Sequence, residues 1–461
     1  MTELDRPRAR GPVAQPSLRR ELTTFDGVAL LIGITIGSGI YSTPYLIAGY
    51  YESFPAIIFS WVIVGALVMI GGMVYAELGT RVPTTGGEYS YITRAFGPFA
   101  GFMFGWAQLF IIRTSPGAGL AIITADYLGF FVRLDGLAHT LVAAGVLVLV
   151  GLFNYVGIRW AALFQRVTTL AKVVGLIAFA VLFTFLLGGT EGRLGEVSAP
   201  PVDRGWLRNV IPALMLIVFT HTGWDRVGYV AGEMRNPARA IPRSMFIGLG
   251  LILAIYWTII TIYHYVLGMD ALRATATPAA DIAEIMIGPV GASLVALLAI
   301  VSAVSSINGT TMSASRVYYA MARDGLFVRW FDFVHRGFRT PSRAILAHVV
   351  WAVVILVVRG SFESIAAGMV FAILIFYTMT TLALFKFRRS GVGENPADDS
   401  SSIYRMPGYP WLPGIYLIAI VVLLVARATF EWRSSLVDLA FVATGLPVSW
   451  FWFRRSRRAA A

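Results

Sequence analysis

The segment from Phe25 to Ile47, FDGVALLIGITIGSGIYSTPYLI, is apolar and long enough to cross a bilayer as one helix, which takes roughly 20 residues. Its centre, however, holds Gly37, Ser38 and Gly39, with Gly33 one turn earlier. Each glycine costs a helix interior about 1 kcal/mol relative to alanine, so this run is a place for the helix to open. Opened backbone is tolerated at that depth only where it is buried in protein or lines a watery cavity. A helix restarting near Ser38 and Gly39 would turn free N–H groups and the positive end of its dipole toward such a cavity, a seat for a carboxylate. The plainer alternative is that Gly33 and Gly37 only let two helices approach closely.

The rest of the chain is of the same kind. Of its 461 residues 57% are hydrophobic and 13% charged, against about 25% charged in soluble domains, which identifies a polytopic membrane protein. Hydropathy marks about twelve spans, near 25–48, 54–78, 97–128, 138–157, 161–188, 209–233, 244–268, 286–312, 343–359, 363–386, 413–430 and 436–453. No loop is long enough to hide a soluble domain. Residues 1–22 form a polar, arginine-rich arm with no apolar core, expected to be disordered and cytoplasmic rather than a signal peptide. With both termini inside, 25 of the 37 Lys and Arg fall in cytoplasmic segments, eight outside and four within spans. That bias is the positive-inside signal, so the net charge of +12 reports topology and calls for no nucleic acid. The absence of cysteine excludes disulfides, thiol catalysis and thiolate metal sites.

The sixth span, 209–233, is interrupted as well. Its centre reads Phe219-Thr220-His221-Thr222-Gly223-Trp224-Asp225-Arg226, too polar for a lipid-facing helix. Spans one and six lie five apart, an odd offset, so the second group of five is inverted relative to the first. Broken helices at matching places in inverted halves point to a transport site near the midplane. N–H groups at Ser38 and Gly39 suit a carboxylate, and carbonyls ending the first half of span six, near Phe219 and Thr220, suit an ammonium. An α-amino acid carries both groups, although many zwitterions would fit.

Four blocks sharpen this. Gly37-Ser38-Gly39-Ile40 is followed by Thr43-Pro44, and Pro83 to Tyr91 reads PTTGGEYSY. Phe219 to Trp224 precedes Glu233 to Pro242, EMRNPARAIP, and Ser306 to Thr310 leads through Ser315-Arg316 to Arg323-Asp324-Gly325. In order and spacing these resemble the amino acid–polyamine–organocation superfamily, and within it the L-amino-acid transporter branch and its bacterial relatives. The blocks cover residues 25–325; later spans match by hydropathy alone.

The resemblance implies an all-α, leucine-transporter-like fold: two inverted five-span repeats over 23–190 and 204–390, then two helices within 409–453 and a basic tail at 454–461. It implies multi-pass insertion in the cytoplasmic membrane and alternating access. It further implies that backbone groups at Thr35, Ser38 and Gly39 hold the substrate carboxylate, that carbonyls at Phe219 and Thr222 hold its amine, and that Phe219 gates. Two departures stand out. Animal members of the branch join an accessory glycoprotein through a cysteine, and this chain has none, so no disulfide-linked subunit is expected. The family's sixth-helix break is aromatic and glycine-rich, whereas His221 and Thr222 occupy two of those places here.

Single residues carry paired readings. Lys172 either snorkels to the cytoplasmic edge or, as the resemblance implies for sodium-independent relatives, replaces a bound cation and bridges the first helix to span eight near Ser306. His221 either shapes the pocket as a neutral hydrogen-bonding group or takes part in proton coupling. Asp225 and Arg226 point about 100° apart on a helix, so they are not expected to pair. Asp225 is then a coupling carboxylate, an outer-gate partner or a structural one. Arg113 needs a partner at its depth, either a substrate or a carboxylate. Trp224 serves as a gate or a wedge. Ser302, Ser305, Asn308, Thr310 and Thr311 read as interhelical hydrogen bonding in span eight. Residues 235–243 read as a solvated cytoplasmic hinge.

The expected function is sodium-independent amino acid exchange, with Thr35, Gly37, Ser38, Gly39, Phe219, Thr220, His221, Thr222 and Trp224 at the substrate and Lys172, Ser306 and Asp225 in coupling. Proton symport is the first alternative; polyamine transport and a non-transporting sensor follow. The five histidines are scattered without metal-ligand spacing, and no cofactor or enzymatic constellation is expected.

Overall fold

The computed structural model describes residues 22–37, 39–84, 86–186, 192–200, 205–323, 325–394 and 403–450. The expected terminal arm up to residue 21 and basic tail, together with Ser38, Thr85 and Asp324 of the quoted motifs, lie outside them. The described residues are helical, and the only β pairing among them is two isolated bridges, Leu22 with Met234 and Ser53 with Val197. In hydrocarbon every backbone donor and acceptor must be met within its own segment, and an apolar chain meets that demand by forming helices.

The first expected span is α1 (Thr24–Thr35) and α2 (Gly39–Ala48), bent by 47° at the break between them. α1 starts on a reciprocal cap in which Thr23 and Asp26 satisfy each other's backbone N–H. α3 (Phe54–Arg81) follows, then the short connecting helix α4 (Glu88–Phe96). Gly87 enters α4 at φ 50°, and a Cβ there would stand 2.8 Å from the Tyr229 ring, so only glycine fits the turn. The third span is α5 (Pro98–Ala107) and α6 (Thr114–Gly129), joined by a π-helical turn at Gln108–Ile112. α7 (Gly136–Val156) and α8 (Ile158–Leu186) complete the first half.

The second half opens with α9 (Trp206–His221), a break, and a ten-residue 3₁₀ segment, Trp224–Glu233. α10 (Pro237–Arg273) and α11 (Pro278–Arg323) run longer than the expected spans. α10 is kinked at Gly268 and α11 at Gly288, close to the expected membrane boundaries, and their outer turns continue past the kinks. α12 (Ser342–Arg359), α13 (Phe362–Ser390), α14 (Trp411–Phe430) and α15 (Trp432–Ala443) follow. The expected hinge at 235–243 is a correction. Only Arg235 and Asn236 lie outside helix, because Pro237 takes the first helical position, where its missing N–H costs nothing. Arg239 and Arg243 are therefore helical, though still exposed.

Eight of these helices are individually long and apolar enough to cross a membrane, nine when α1 and α2 are taken as one bent span. Three of the twelve expected spans fall short as single helices: the third and sixth because the π turn and the break divide them, and the twelfth because α15 has only 12 residues and the expected span runs on past the described residues. α13 is buried along most of its length and stands at the centre, whereas α7 and α14 turn most of their residues outward. Exposed Leu149, Leu152, Leu163 and Leu170 belong to that outer, lipid-type surface. Arg427, one of the eight basic residues expected outside, is buried at the end of α14, where it bonds Asp438 at 3.0 Å and Glu431 at 2.6 Å. Asp438 also receives Arg359, which joins the ends of α12, α14 and α15.

Candidate functional site

The two breaks face each other. α1 packs on the 3₁₀ segment and α2 on α9, so each half of one broken span lies beside the opposite half of the other. Gly223 adopts φ 117°, and a Cβ there would come within 3.2 Å of the Thr35 backbone. Glycine is thus demanded both by conformation and by the approach of the first break. On the other flank Thr43 Oγ1 lies 3.0 Å from Thr220 Oγ1, and Thr43 also donates to the Gly39 carbonyl at 2.9 Å.

The carbonyls at the end of α9 are less free than expected. The Phe219 carbonyl accepts the Thr222 N–H at 3.0 Å and the Thr222 hydroxyl at 2.7 Å, so Thr222 caps its own helix end. The Thr220 carbonyl accepts from the Tyr256 hydroxyl at 3.2 Å, and the same hydroxyl reaches the Thr35 carbonyl at 2.9 Å. Tyr256 of α10 therefore ties together the carbonyl ends of α1 and α9. At the first break the Gly37 N–H turns back to Thr35 O at 2.8 Å, while Thr35 Oγ1 is buried without a hydrogen-bond partner among the described residues.

Lys172 is fully buried in α8 and does not snorkel. Its Nζ donates to Ser306 Oγ on α11 at 3.3 Å. Ser306 Oγ in turn lies 3.6 Å from where a Gly37 Cβ would stand, so lysine, serine and first break form one contact line. Below it, Ser305 accepts from Thr168 at 2.7 Å, Asn308 donates to Gln165 at 2.9 Å, and Asn154 donates to Asn308 at 2.8 Å. Ser305 and Asn308 of the polar patch in span eight are thus engaged in interhelical bonding. Ser302 Oγ is buried and has no partner among the described residues.

His221 is buried between α3 and α10. Its ring lies 5.2 Å from Trp61 and 5.4 Å from Tyr256, and Nδ1 bonds the Ile217 carbonyl at 2.8 Å. Phe219 meets Phe362 of α13 edge-on at 5.3 Å, one aromatic layer beside the site. A second layer lies past the second break, where Trp224 contacts Tyr75 at 4.8 Å and Tyr377 at 5.4 Å. A cavity of about 40 Å³ beside Thr222 and Trp224 is walled by apolar side chains of α3, α13 and α14 and is too small for an amino acid.

Beneath the Trp224 layer sits a buried charged group. Contrary to the sequence expectation, Asp225 and Arg226 do pair, at 2.9 Å. The expectation considered only the directions of the two side-chain bases, and the long arginine folds back over its neighbour. The Arg113 guanidinium lies 5.2 Å from the Tyr229 ring, and the Tyr229 hydroxyl donates to Glu88 Oε2 at 3.1 Å. Tyr75 bonds the other Glu88 oxygen. Arg113 also bonds Gln108 at 2.7 Å, an arrangement made by the π turn between α5 and α6. Arg113 therefore has carboxylate company within the protein. Burial first, and the neighbouring Asp225 carboxyl second, raise the Glu88 carboxyl above the ordinary carboxylate range. Asp225 lies beside Glu88, the first residue of α4.

Among known proteins, the family model described as amino acid permease matches residues 22–452. The chain belongs to the amino acid permease family. It is 29% identical over 438 residues to the serine/threonine exchanger SteT of Bacillus subtilis, covering 94% of this chain and 96% of that one. It is 26% identical to the human b(0,+)-type amino acid transporter 1, covering 81% of this chain and 77% of the relative. To the human cystine/glutamate transporter it is 23% identical, over 93% and 84%. The permease is thus a multi-pass membrane transport protein and not an enzyme.

Tyr256, Tyr75 and Tyr377 escaped the sequence reading of this permease because single tyrosines in apolar spans carry no local signal. Glu88 stood in plain view in the quoted PTTGGEYSY block but had no partner until Asp225 and Arg113 were placed beside it.

Proposed function

We propose that this permease exchanges L-amino acids across the cytoplasmic membrane by alternating access, without sodium. Its spans then form two inverted five-helix repeats followed by two further helices, with both termini in the cytoplasm. One observation carries the reading: two broken helices face each other, and the Lys172 ammonium stands at the first break through Ser306. A fixed cation at that point serves where a bound metal ion would otherwise be needed to hold the opened backbone.

The substrate carboxylate lies at the start of α2, on the backbone N–H groups of Ser38 and Gly39, with the Thr35 hydroxyl, which has no partner among the described residues, beside them; the Gly37 N–H joins only by leaving the Thr35 carbonyl. The amine lies at the end of α9. There it takes the free lone pair of the Thr220 carbonyl or displaces the Thr222 hydroxyl from Phe219. α1 with the 3₁₀ segment moves as the inner gate, α2 with α9 as the outer. The names of the relatives, an exchanger of serine and threonine among them, support amino acids as cargo and exchange as the mode.

Proton symport is the second reading, favoured by the buried Glu88 and Asp225 carboxyls on the inner side. Uptake of labelled amino acids into proteoliposomes separates the two. Exchange requires preloading with unlabelled amino acid and ignores both sodium and a pH gradient. Uptake into empty vesicles driven by an inward proton gradient replaces exchange with symport, and uptake that depends on sodium refutes the role given to Lys172.

A further inference from the structure

At the inner ends of α3 and α13, away from the transport site, a pocket of about 310 Å³ is lined by Arg81, Arg388, Arg389, Glu394, Arg405 and Tyr409. Its floor is built. The buried Glu77 carboxylate holds the Arg81 Nε at 2.8 Å and the Arg388 Nε at 2.7 Å, and accepts the Met406 N–H at 2.9 Å. Arg81 also donates to Glu394 at 3.1 Å, which receives Arg405 at 3.2 Å. The Arg388 guanidinium sits over the Tyr409 ring, its carbon 3.8 Å from the centroid, and its Nε and a terminal nitrogen are both held by Glu77.

Two carboxylates therefore face four guanidiniums. Glu77 is spent in orienting two of them, and Glu394 is shared between two. Arg389 is exposed and makes no ion pair among the described residues. The excess of positive charge is held rigidly below and left open above. Planar guanidiniums in fixed orientation match a tetrahedral oxyanion in bidentate fashion. The level is right for a headgroup: Arg81 ends α3, Arg388 lies in the last turn of α13, and Trp411, at the start of α14 beside Tyr409, is 77% exposed as interfacial tryptophans are. Basic pockets between helix ends on the cytoplasmic side are suited to acidic headgroups.

We propose that this pocket is a binding site for a phosphate group. The phosphodiester of an anionic phospholipid in the inner leaflet and a soluble phosphate anion present the same chemistry to it. The test uses the full chain in neutral detergent, with native mass spectrometry and thermal melting. The probes are phosphatidylglycerol, phosphatidylcholine and inorganic phosphate. The variants are Arg389→Gln, Arg405→Gln, the double variant, and Arg389→Lys, all at exposed positions that leave Glu77 with its partners. Saturable binding and stabilisation by phosphatidylglycerol but not phosphatidylcholine is expected, weakening roughly fivefold for each arginine removed and largely restored by lysine. Stabilisation by inorganic phosphate, lost in the same variants and not exceeded by the lipid, supports the site with a soluble anion as its ligand. Phosphatidylglycerol binding equally well to the wild type and to a folded double variant, or no response to either anion, overturns the proposal.

Discussion

Replacing Tyr256 with phenylalanine removes one oxygen and leaves the ring against Trp61 and His221. The lost hydroxyl proton is the one shared between the Thr35 carbonyl at 2.9 Å and the Thr220 carbonyl at 3.2 Å. A made hydrogen bond contributes about 1 kcal/mol net, and a buried group left without a partner costs about 1–3 kcal/mol. Unfolding entropy scales at roughly 2 cal/mol/K per residue, so a loss of that size in a chain this long moves the melting temperature by only about 1–3 °C. Transport is far more sensitive. The hydroxyl joins the ends of α1 and α9, which must separate if inner and outer gates move in turn. If the tie exists in this conformation alone, the whole loss enters the equilibrium between conformations, a shift of roughly fivefold to a hundredfold. The chain has no cysteine, so a single Thr222→Cys reports access to the second break by maleimide labelling. The expected result for Tyr256→Phe is a change in labelling rate and exchange KM of at least fivefold, with melting nearly unchanged. A lower melting temperature with labelling and KM within twofold of the parent refutes the tie and leaves Tyr256 as packing.

Three further perturbations test the site. Gly223→Ala forces a side chain onto φ 117° and against Thr35, a strain of about 1–3 kcal/mol, and should lower both folded yield and uptake; Gly145→Ala, where nothing lies within 4 Å, should not. Lys172→Met keeps the bulk but removes the ammonium on Ser306, and uptake should fall at least tenfold in a protein that still melts cooperatively; retained uptake would remove lysine from the mechanism. The Glu88 carboxyl, raised mainly by burial, is surrounded by Asp225, Arg113, Tyr75 and Tyr229. A raised carboxyl holds its proton in the fold, so stability is fullest at acid pH and declines as pH rises from the ordinary carboxylate range through the raised value. Glu88→Gln should flatten that decline in melting temperature, and an unchanged profile would place its cause elsewhere.

The opened stretches were legible because they are chemical as well as structural. Gly37 and Gly39 carry the helix-breaking cost in their own composition, and Thr222-Gly223 interrupts an apolar span with a residue that accepts a positive φ. Lys172 was legible only as a choice between snorkelling and, through the resemblance, a buried cation near Ser306, and the positive-inside count followed from the positions of lysines and arginines. What happens at the breaks was not. Whether the Phe219 carbonyl is free depends on the Thr222 hydroxyl turning back to it, and whether the Thr220 carbonyl is free depends on a tyrosine 36 residues away. Asp225 met Arg226 through the reach of a side chain, which helical angles alone do not describe. Glu88, Arg113 and Asp225 come from three different spans or connections and share a space only after α4, the π turn and the 3₁₀ segment have packed together. Hydropathy and glycine placement act locally, so the sequence by itself determined a helical membrane protein with two interrupted spans. The partners of each buried polar group are settled by the lowest-cost pairing among all neighbours, and that was decided only by the tertiary structure.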